Sequence, residues 1–310
     1  MILTVTLNPA VDKIIILNSL ELGELNRVKD TTTLPGGKGI NVSEVLTELN
    51  IANIALGIVG GSNGRIIQTF LEDMEVRADF NWSDNNTRQN LKIKEKLENR
   101  ETEINETGKI DKEDLEDFLA TFNKYIKDNK TLVLSGSLPE GAPDNIYADL
   151  IEKAAKKDVK VILDTSGEAF KIGLEKKPYL VKPNLEEMEN LLGKELKSNA
   201  DLKEGAGFLL DKGIEEVMIS LGADGAFIAS KNEGYRLYTP EVEVAQTTVG
   251  AGDTMVAGLA KEIDRNSSLK DTGVSAAALA TAFVKMGSIS KIDEDLLEEI
   301  KKQIKVEKIY

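Results

Sequence analysis

The segment TTVGAGDTMVAG, from Thr247 to Gly258, places one carboxylate, Asp253, directly behind Gly250, Ala251 and Gly252 at the start of an apolar helical pattern. Backbone amides at a helix start lack intrahelical acceptors and sit at the positive end of the dipole, so bare residues there can hold anionic oxygens. An aspartate fixed in the same turn can orient and deprotonate an attacking hydroxyl, which is what phosphoryl transfer asks of a carboxylate. Few other groups are available for acid–base work. The 310 residues include no cysteine and no histidine, which excludes disulfide frameworks, zinc fingers, cysteine nucleophiles and serine–histidine triads, leaving Asp, Glu, Lys and Tyr.

Four further motifs carry residues suited to ligands. LPGGKGINVSEVL, Leu34 to Leu46, sets Gly36 and Gly37 ahead of a helix with Lys38 and Asn41 at its start. Paired glycines let a ligand approach the main chain, and Asn41 can donate to and accept from sugar hydroxyls; a plain tight turn explains the same glycines. SGSLPEG, Ser135 to Gly141, ends a strand in small hydroxyl residues, and strand carboxyl ends are where open α/β sheets bind ligands. VKPNLEEME, Val181 to Glu189, spaces Asn184 and Glu187 either as a helix-capping pair or as groups near a metal. SLGADGA, Ser220 to Ala226, has glycines that can admit a nucleotide or form a hairpin turn.

These motifs need a scaffold. Apolar runs at 2–7, 53–60, 131–135, 160–166 and 216–222 alternate with helical patterns at 41–49, 111–128, 143–157 and 184–192, and residues 250–305 are nearly all helical in pattern. That alternation predicts an α/β fold with a mainly parallel sheet and helices on both faces. Residues 12–33 and 87–105 break the rhythm with β-branched and charged residues and no helical stripe. They read as a separate small sheet suited to a lid, with an edge extension of the main sheet as the alternative.

A 41% apolar composition supports a sizeable core, and a formal net charge of −14 argues against a nucleic-acid surface. The opening MILTVTLNPAVDK has no basic region followed by a long apolar run, and no stretch is long and apolar enough for a membrane span, so a cytoplasmic protein is expected.

Taken in order, GGKGIN, SGSLP, KPNLEE, SLGADGA and TVGAGD resemble the ribokinase-like (PfkB) carbohydrate kinase family from one end of the chain to the other. The resemblance implies a three-layer αβα core with a mainly parallel sheet, formed by 1–11, 34–86 and 106–310, carrying a β-sheet lid from 12–33 and 87–105. Thr247 stands where the family's general DTxGAGD pattern opens with aspartate, a departure shared by its hexose-phosphate branch. NPAVD at 8–12, TRQN at 87–90, TEINETG at 102–108, LDTSGEAF at 163–170 and TVGAGDTMVAG at 248–258 are most similar to bacterial enzymes of that branch. Those enzymes transfer the ATP γ-phosphoryl group to the 6-hydroxyl of fructose 1-phosphate. Tagatose-6-phosphate kinase is the alternative, and a non-catalytic sugar-phosphate sensor is a reading of a different class, against which the intact Asp253 and its glycines speak.

The resemblance also implies roles for single residues. Asp253 is the catalytic base, with the amides of Gly250, Ala251 and Gly252 as its anion hole. Asp12, Gly36, Gly37 and Asn41 hold the sugar. Lys38, Arg88 and Ser137 face the substrate phosphate, for which a planar guanidinium is suited, and Arg27, from the lid, reaches a phosphate either in its own subunit or across a dimer. Lys182, Asn184, Ser220, Gly222 and Gly225 line the ATP side, and the adenine rests along SAAALATAF, Ser275 to Phe283. Glu187, with Asn184 as companion, holds Mg2+ through water. Because the far field of an acidic chain repels both substrates, Arg27, Lys38, Arg88, Lys92 and Lys182 are expected to converge on one cleft. A homodimer through the lid is expected by analogy with relatives.

Overall fold

Strands buried on both faces read as continuous apolar runs, and this is how the centre of the sheet is built. The computed structural model describes residues 1–245, 247–288 and 292–310. At its centre lies β1 (Ile2–Thr6), flanked on one side by β4 (Asn53–Gly60) and β5 (Ala78–Ser83). On the other side follow β8 (Thr131–Ser135), β9 (Lys160–Asp164), β10 (Leu180–Val181) and β11 (Glu216–Ser220), all parallel. Three antiparallel strands, β12 (Ala226–Ser230), β13 (Gly234–Tyr238) and β14 (Lys305–Lys308), complete a ten-stranded sheet.

Successive side chains on each strand serve opposite cores. Leu3, Val5, Leu132 and Leu134 pack with Phe118 and Phe122 of α3 (Lys112–Tyr125), with Tyr147 of α4 (Ile146–Ala155), and with α5 (Gly167–Leu174) and α7 (Asn199–Asp211). Ile2, Val133, Ile162 and Met218 face the opposite layer of α1 (Lys38–Glu48), α8 (Ala251–Asp264), α9 (Leu269–Met286) and α10 (Glu294–Gln303). The result is the three-layer α/β architecture expected. Helices α8 and α9 approach so closely that a Cβ on Gly258 would lie 2.7 Å from Ala276 Cα. Helix α2 (Gly61–Asp73) packs Ile67 and Leu71 against Val11 and Ile40, and the short α6 (Leu185–Leu192) follows β10.

A second sheet stands apart in the order β3 (Asp30–Gly36), β2 (Ala10–Leu17), β6 (Arg88–Glu95) and β7 (Arg100–Asn105). Its two antiparallel hairpins are joined by parallel pairing of β2 with β6, which sets Asp12 beside Asn90 and Ile14 beside Lys92.

Some elements depart from the sequence expectation. The residues of β5, ADFNWS, lack a β-branched run, and β12 to β14 form the antiparallel edge that the sequence pattern left unmarked. SLGADGA includes a single 3-10 turn over Gly222–Asp224 joining antiparallel β11 and β12, so the hairpin alternative holds there. The helical pattern at 250–305 resolves into α8, α9 and α10 and gives way to β14 at Lys305; its residues 289–291 lie outside the described residues. No helix among the described residues is long and apolar enough to cross a membrane.

Candidate active site

Parallel strands all end on the same edge of the sheet, so residues far apart in sequence meet there. Asp164 closes β9, Lys182 follows β10, Ser135 closes β8, and the turn into α8 comes down over them. Gly250 caps α8 with φ 98°, a left-handed conformation that favours glycine. A Cβ at Gly250 would also sit 3.1 Å from the Phe283 ring. Of the three amides assigned to the anion hole, that of Ala251 donates to the Thr248 carbonyl at 3.2 Å. Those of Gly250 and Gly252, and also that of Asp253, have no acceptor among the described residues, as expected for a helix start.

Asp253 lies in that first turn, 8% exposed, and its Oδ2 accepts from Asn41 Nδ2 at 2.7 Å. Burial pushes its carboxyl up to about 6, reinforced by the charge of Asp164 and opposed by the Asn41 hydrogen bond and by Lys38 and Lys182. A carboxyl raised toward neutrality is a better base while still being ionised at pH 7. Behind it, Asp164 is 3% exposed and shared by two lysines, Lys38 Nζ on Oδ2 and Lys182 Nζ on Oδ1, each at 3.2 Å. Burial alone would raise the Asp164 carboxyl, but the charges of Lys182 and Lys38 outweigh it and hold the group below its ordinary value. Desolvation works against the charge on Lys38, and Asp164 and Asp253 more than reverse it, so its ammonium is held above the usual value.

On one side of the Gly250–Asp253 turn lies a cavity of about 390 Å³ between α1 and the small sheet, bordered by Asp12, Asn41, Glu44, Lys92 and Gly250. Asp12 is presented by β2 with Oδ1 accepting from Asn90 Nδ2 at 2.8 Å and Oδ2 paired with Lys92 Nζ at 2.9 Å. Gly36 lies against it: a Cβ there would be 2.7 Å from Asp12 Oδ1. Gly37 and Gly39 pack onto Thr6 at the end of β1 in the same way, so this glycine cluster lets α1 start close to the sheet edge. Arg88 donates from Nη1 to Asn90 Oδ1 at 3.3 Å and to the Glu106 carbonyl at 3.2 Å. Ser137 Oγ accepts from Asn8 Nδ2 at 3.1 Å. Arg27 lies exposed in the loop between β2 and β3, in no ion pair among the described residues. That loop leaves β2 at Leu17, five residues past Asp12, so Arg27 is not among the basic groups gathered at the turn.

On the other side of the turn is a larger cavity, about 830 Å³, bordered by Asn184, Ser220, Gly222, Thr248 and Gly252. Its apolar wall includes Ala277, Ala280 and Thr281 of α9, inside the stretch expected to carry adenine. A Cβ on Gly222 would meet nothing within 4 Å, whereas one on Gly225 would collide with the Leu237 carbonyl, so Gly225 also serves the approach of β13. Asn184 and Glu187 form a reciprocal capping box on α6, with Glu187 Oε2 accepting from the Asn184 amide at 2.8 Å and Asn184 Oδ1 from the Glu187 amide at 2.7 Å. The capping reading of that pair is therefore realised, and it leaves Glu187 Oε1 for another partner.

The sequence reading assigned no role to Asp164, Glu44, Asn8 or Asn90. Asp164 carries a usable signal, an aspartate ending a core strand on the edge where the other motifs gather. Glu44 follows Asn41 by one helical turn; burial first, then Asp253 and Glu48, push its carboxyl up to about 8, and its Oε1 has no hydrogen-bond partner.

The chain is similar to carbohydrate kinases along almost its whole length. The model of the family described as pfkB family carbohydrate kinase matches residues 5–294. A 1-phosphofructokinase of Borreliella burgdorferi is 36% identical over 311 residues, covering 100% of this chain and 99% of the relative. A 1-phosphofructokinase of Bacillus subtilis is also 36% identical, over 97% of this chain and 99% of its own length. Among solved structures, Escherichia coli phosphofructokinase-2 in complex with substrates and products superimposes with a TM-score of 0.89 at 28% identity, covering 97% of this chain and 98% of that one.

Proposed function

The chain belongs to the pfkB family of carbohydrate kinases, and on that premise we propose that it is a sugar-phosphate kinase transferring the ATP γ-phosphoryl group to the 6-hydroxyl of fructose 1-phosphate, giving fructose 1,6-bisphosphate. One observation carries the reading: two cavities, a wide one with a small-residue wall and a smaller charged one, flank a single glycine turn whose only carboxylate is Asp253. A donor and an acceptor bound on the two sides would meet at that turn.

In this reading the Asn41 amide fixes Asp253 Oδ2 and leaves Oδ1 to orient the sugar hydroxyl. The hydroxyl oxygen forms the new bond to the γ-phosphorus, the bond from that phosphorus to the β,γ-bridging oxygen of ATP breaks, and the hydroxyl proton passes to Asp253. A loose transition state asks chiefly for alignment and for donors aimed at the transferring oxygens, which the turn amides supply. Lys182 adds positive charge at the same point: its Nζ lies 3.8 Å from where a Cβ of Gly252 would be. Asp12, Gly36, Gly37 and Asn41 hold the sugar, Arg88, Ser137 and Lys38 its phosphate end, and Ser220, Gly222 and Gly225 the nucleotide.

Magnesium fits this donor set in one way. Among the described residues no three acidic side chains converge as a metal cage, while Glu187 keeps one carboxylate oxygen free beside the nucleotide cavity. Such a set suits an ion bound mainly by phosphates and water, with Glu187 and Asn184 as its outer partners. Bound there, the ion would offset phosphate charge. The small sheet, formed from 12–33 and 87–105, acts as a lid over the acceptor, Arg27 reaches a phosphate across a homodimer formed through that lid, and the enzyme works in the cytoplasm.

The deciding experiment compares rates of ADP formation with ATP and magnesium on fructose 1-phosphate, tagatose 6-phosphate, fructose 6-phosphate and fructose. Fructose 1-phosphate is expected to be preferred. Preference for tagatose 6-phosphate overturns the substrate, and ligand binding without turnover on any of the four overturns the kinase.

A further inference from the structure

Arg88 and Ser137 belong to different elements, and one residue with no assigned role touches both. Asn8 follows β1 and is 8% exposed. Its Nδ2 donates to Ser137 Oγ at 3.1 Å and to the Leu138 carbonyl at 3.3 Å, while its main-chain carbonyl accepts from Arg88 Nη2 at 3.3 Å. One residue therefore orients the hydroxyl with its side chain and the guanidinium with its peptide oxygen.

Two buried polar atoms at this junction lack a partner: Asn8 Oδ1, which can only accept, and Arg88 Nε, which can only donate. Leaving both unmet is costly, and a bridging water meets both demands at once. Asn8 and Arg88 border a small cavity of about 20 Å³, together with Ser83, Thr87 and Gly108. That volume holds a single water molecule, and the walls supply polar partners. Gly108 keeps the space open, since a Cβ there would collide with Asn8 Oδ1 and press on Arg88 Cδ at 3.3 Å. With both Nη1 hydrogens on Asn90 and Glu106 and one Nη2 hydrogen on Asn8, a water on Nε would leave Arg88 one N–H for a ligand. The aim of that last donor then depends on the set of the whole guanidinium.

The geometry points to Asn8 as the positioning residue of the substrate-phosphate site: it holds Arg88 and Ser137 in one register, aided by an ordered water bridging Asn8 Oδ1 and Arg88 Nε in the space that Gly108 leaves open. The inference rests on the assignment of Arg88 and Ser137 to the substrate phosphate.

The test is steady-state kinetics on Asn8→Ala, Gly108→Ala and Arg88→Gln, with inorganic phosphate as competitor of fructose 1-phosphate and thermal melting as the check on folding. Asn8→Ala and Gly108→Ala are each expected to raise KM for fructose 1-phosphate about tenfold, leave kcat and KM for ATP within about threefold, and weaken competition by phosphate in parallel. Equal losses for both substrates, following the fall in melting temperature, would make Asn8 merely structural and overturn the proposal. If Arg88→Gln leaves KM for fructose 1-phosphate unchanged, the phosphate-site reading itself fails. If Arg88→Gln raises it while neither other variant does, only the positioning role falls. A crystal structure that resolves ordered water but shows none between Asn8 Oδ1 and Arg88 Nε removes the bridge.

Discussion

The two cavities beside the Gly250–Asp253 turn are built from different materials. The larger is framed to a great extent by main chain and small side chains, with Gly222, Gly252, Ala277 and Ala280 on its surface. The smaller sets charged side chains among apolar ones such as Ile14, Val45 and Phe283, and four of them are already paired: Asp12 with Lys92 at 2.9 Å and Lys94 with Glu101 at 3.5 Å. Main-chain donors suit the phosphates and flat base of a nucleotide, whereas a polyhydroxylated acceptor calls for side chains at several angles. The contrast also bears on how a chain of net charge −14 can take anionic substrates: at the turn Lys38 and Lys182 balance Asp164 and Asp253, so the local charge lacks the excess of acid carried by the chain as a whole.

The largest effect should come from Asp253→Asn, which keeps the shape of the turn and removes its base. kcat is expected to fall about 10³-fold, within the range for loss of a positioned acid–base group. ATP binding, measured by calorimetry, should stay within about threefold, because the donor cavity is framed by other residues. A parallel collapse of ATP affinity breaks the contrast, since one turn would then serve both ligands.

Asp164 tests where the two sides join. Lys38 approaches it from α1 and Lys182 from β10, and Lys182 is only 5% exposed. Asp164→Asn leaves two ammonium groups without their shared counter-charge, which should destabilise the fold by about 3 kcal/mol, or ~5 °C in melting temperature. Asp12→Asn, which breaks the Asp12–Lys92 pair nearer to solvent, should lower melting by less than half as much. Equal shifts would mean that the two sides share one electrostatic environment.

This division of materials also governs what the sequence discloses. A site made of main chain needs glycine at fixed places, and Gly250 at φ 98° and Gly222 at φ 61° are legible as such. The parallel centre of the sheet is legible too, because strands buried on both faces leave unbroken apolar runs; the half-exposed ADFNWS of β5 and KVEK of β14 do not. Side-chain sites are read less completely. The role of Asp164 comes from Lys38, 126 residues away, and that of Asn8 from Ser137, 129 residues away, so LDTSGEAF and NPAVD mark where the two residues sit but not what they hold. Even where the residue is found, its partner is hidden: nothing in NPAVD shows that Asp12 will meet Asn90 and Lys92 through parallel pairing of β2 with β6.

The acceptor side should also titrate. With the Asp253 carboxyl raised to about 6, principally by burial, the base is lost as pH falls through that value, and kcat should drop about tenfold between pH 7 and pH 5. A flat acid limb in a kcat profile would remove Asp253 from the proton transfer.

Glu44 gives the most specific effect. Its carboxyl, raised by burial first and then by Asp253 and Glu48, reaches about 8 in the folded chain against 4.5 for the free group. The folded state then keeps a proton that the unfolded state releases, so stability is full below 4.5 and is lost as pH rises toward about 8. Glu44→Gln cannot ionise and is free of that loss. Its melting temperature relative to the parent should therefore climb between pH 5 and pH 8 by a few degrees and level off above, while its affinity for ATP stays constant. A difference that does not vary with pH would show that Glu44 is already ionised in the fold, with a partner that offsets its charge. The charged cavity would then be no more strained than the nucleotide side.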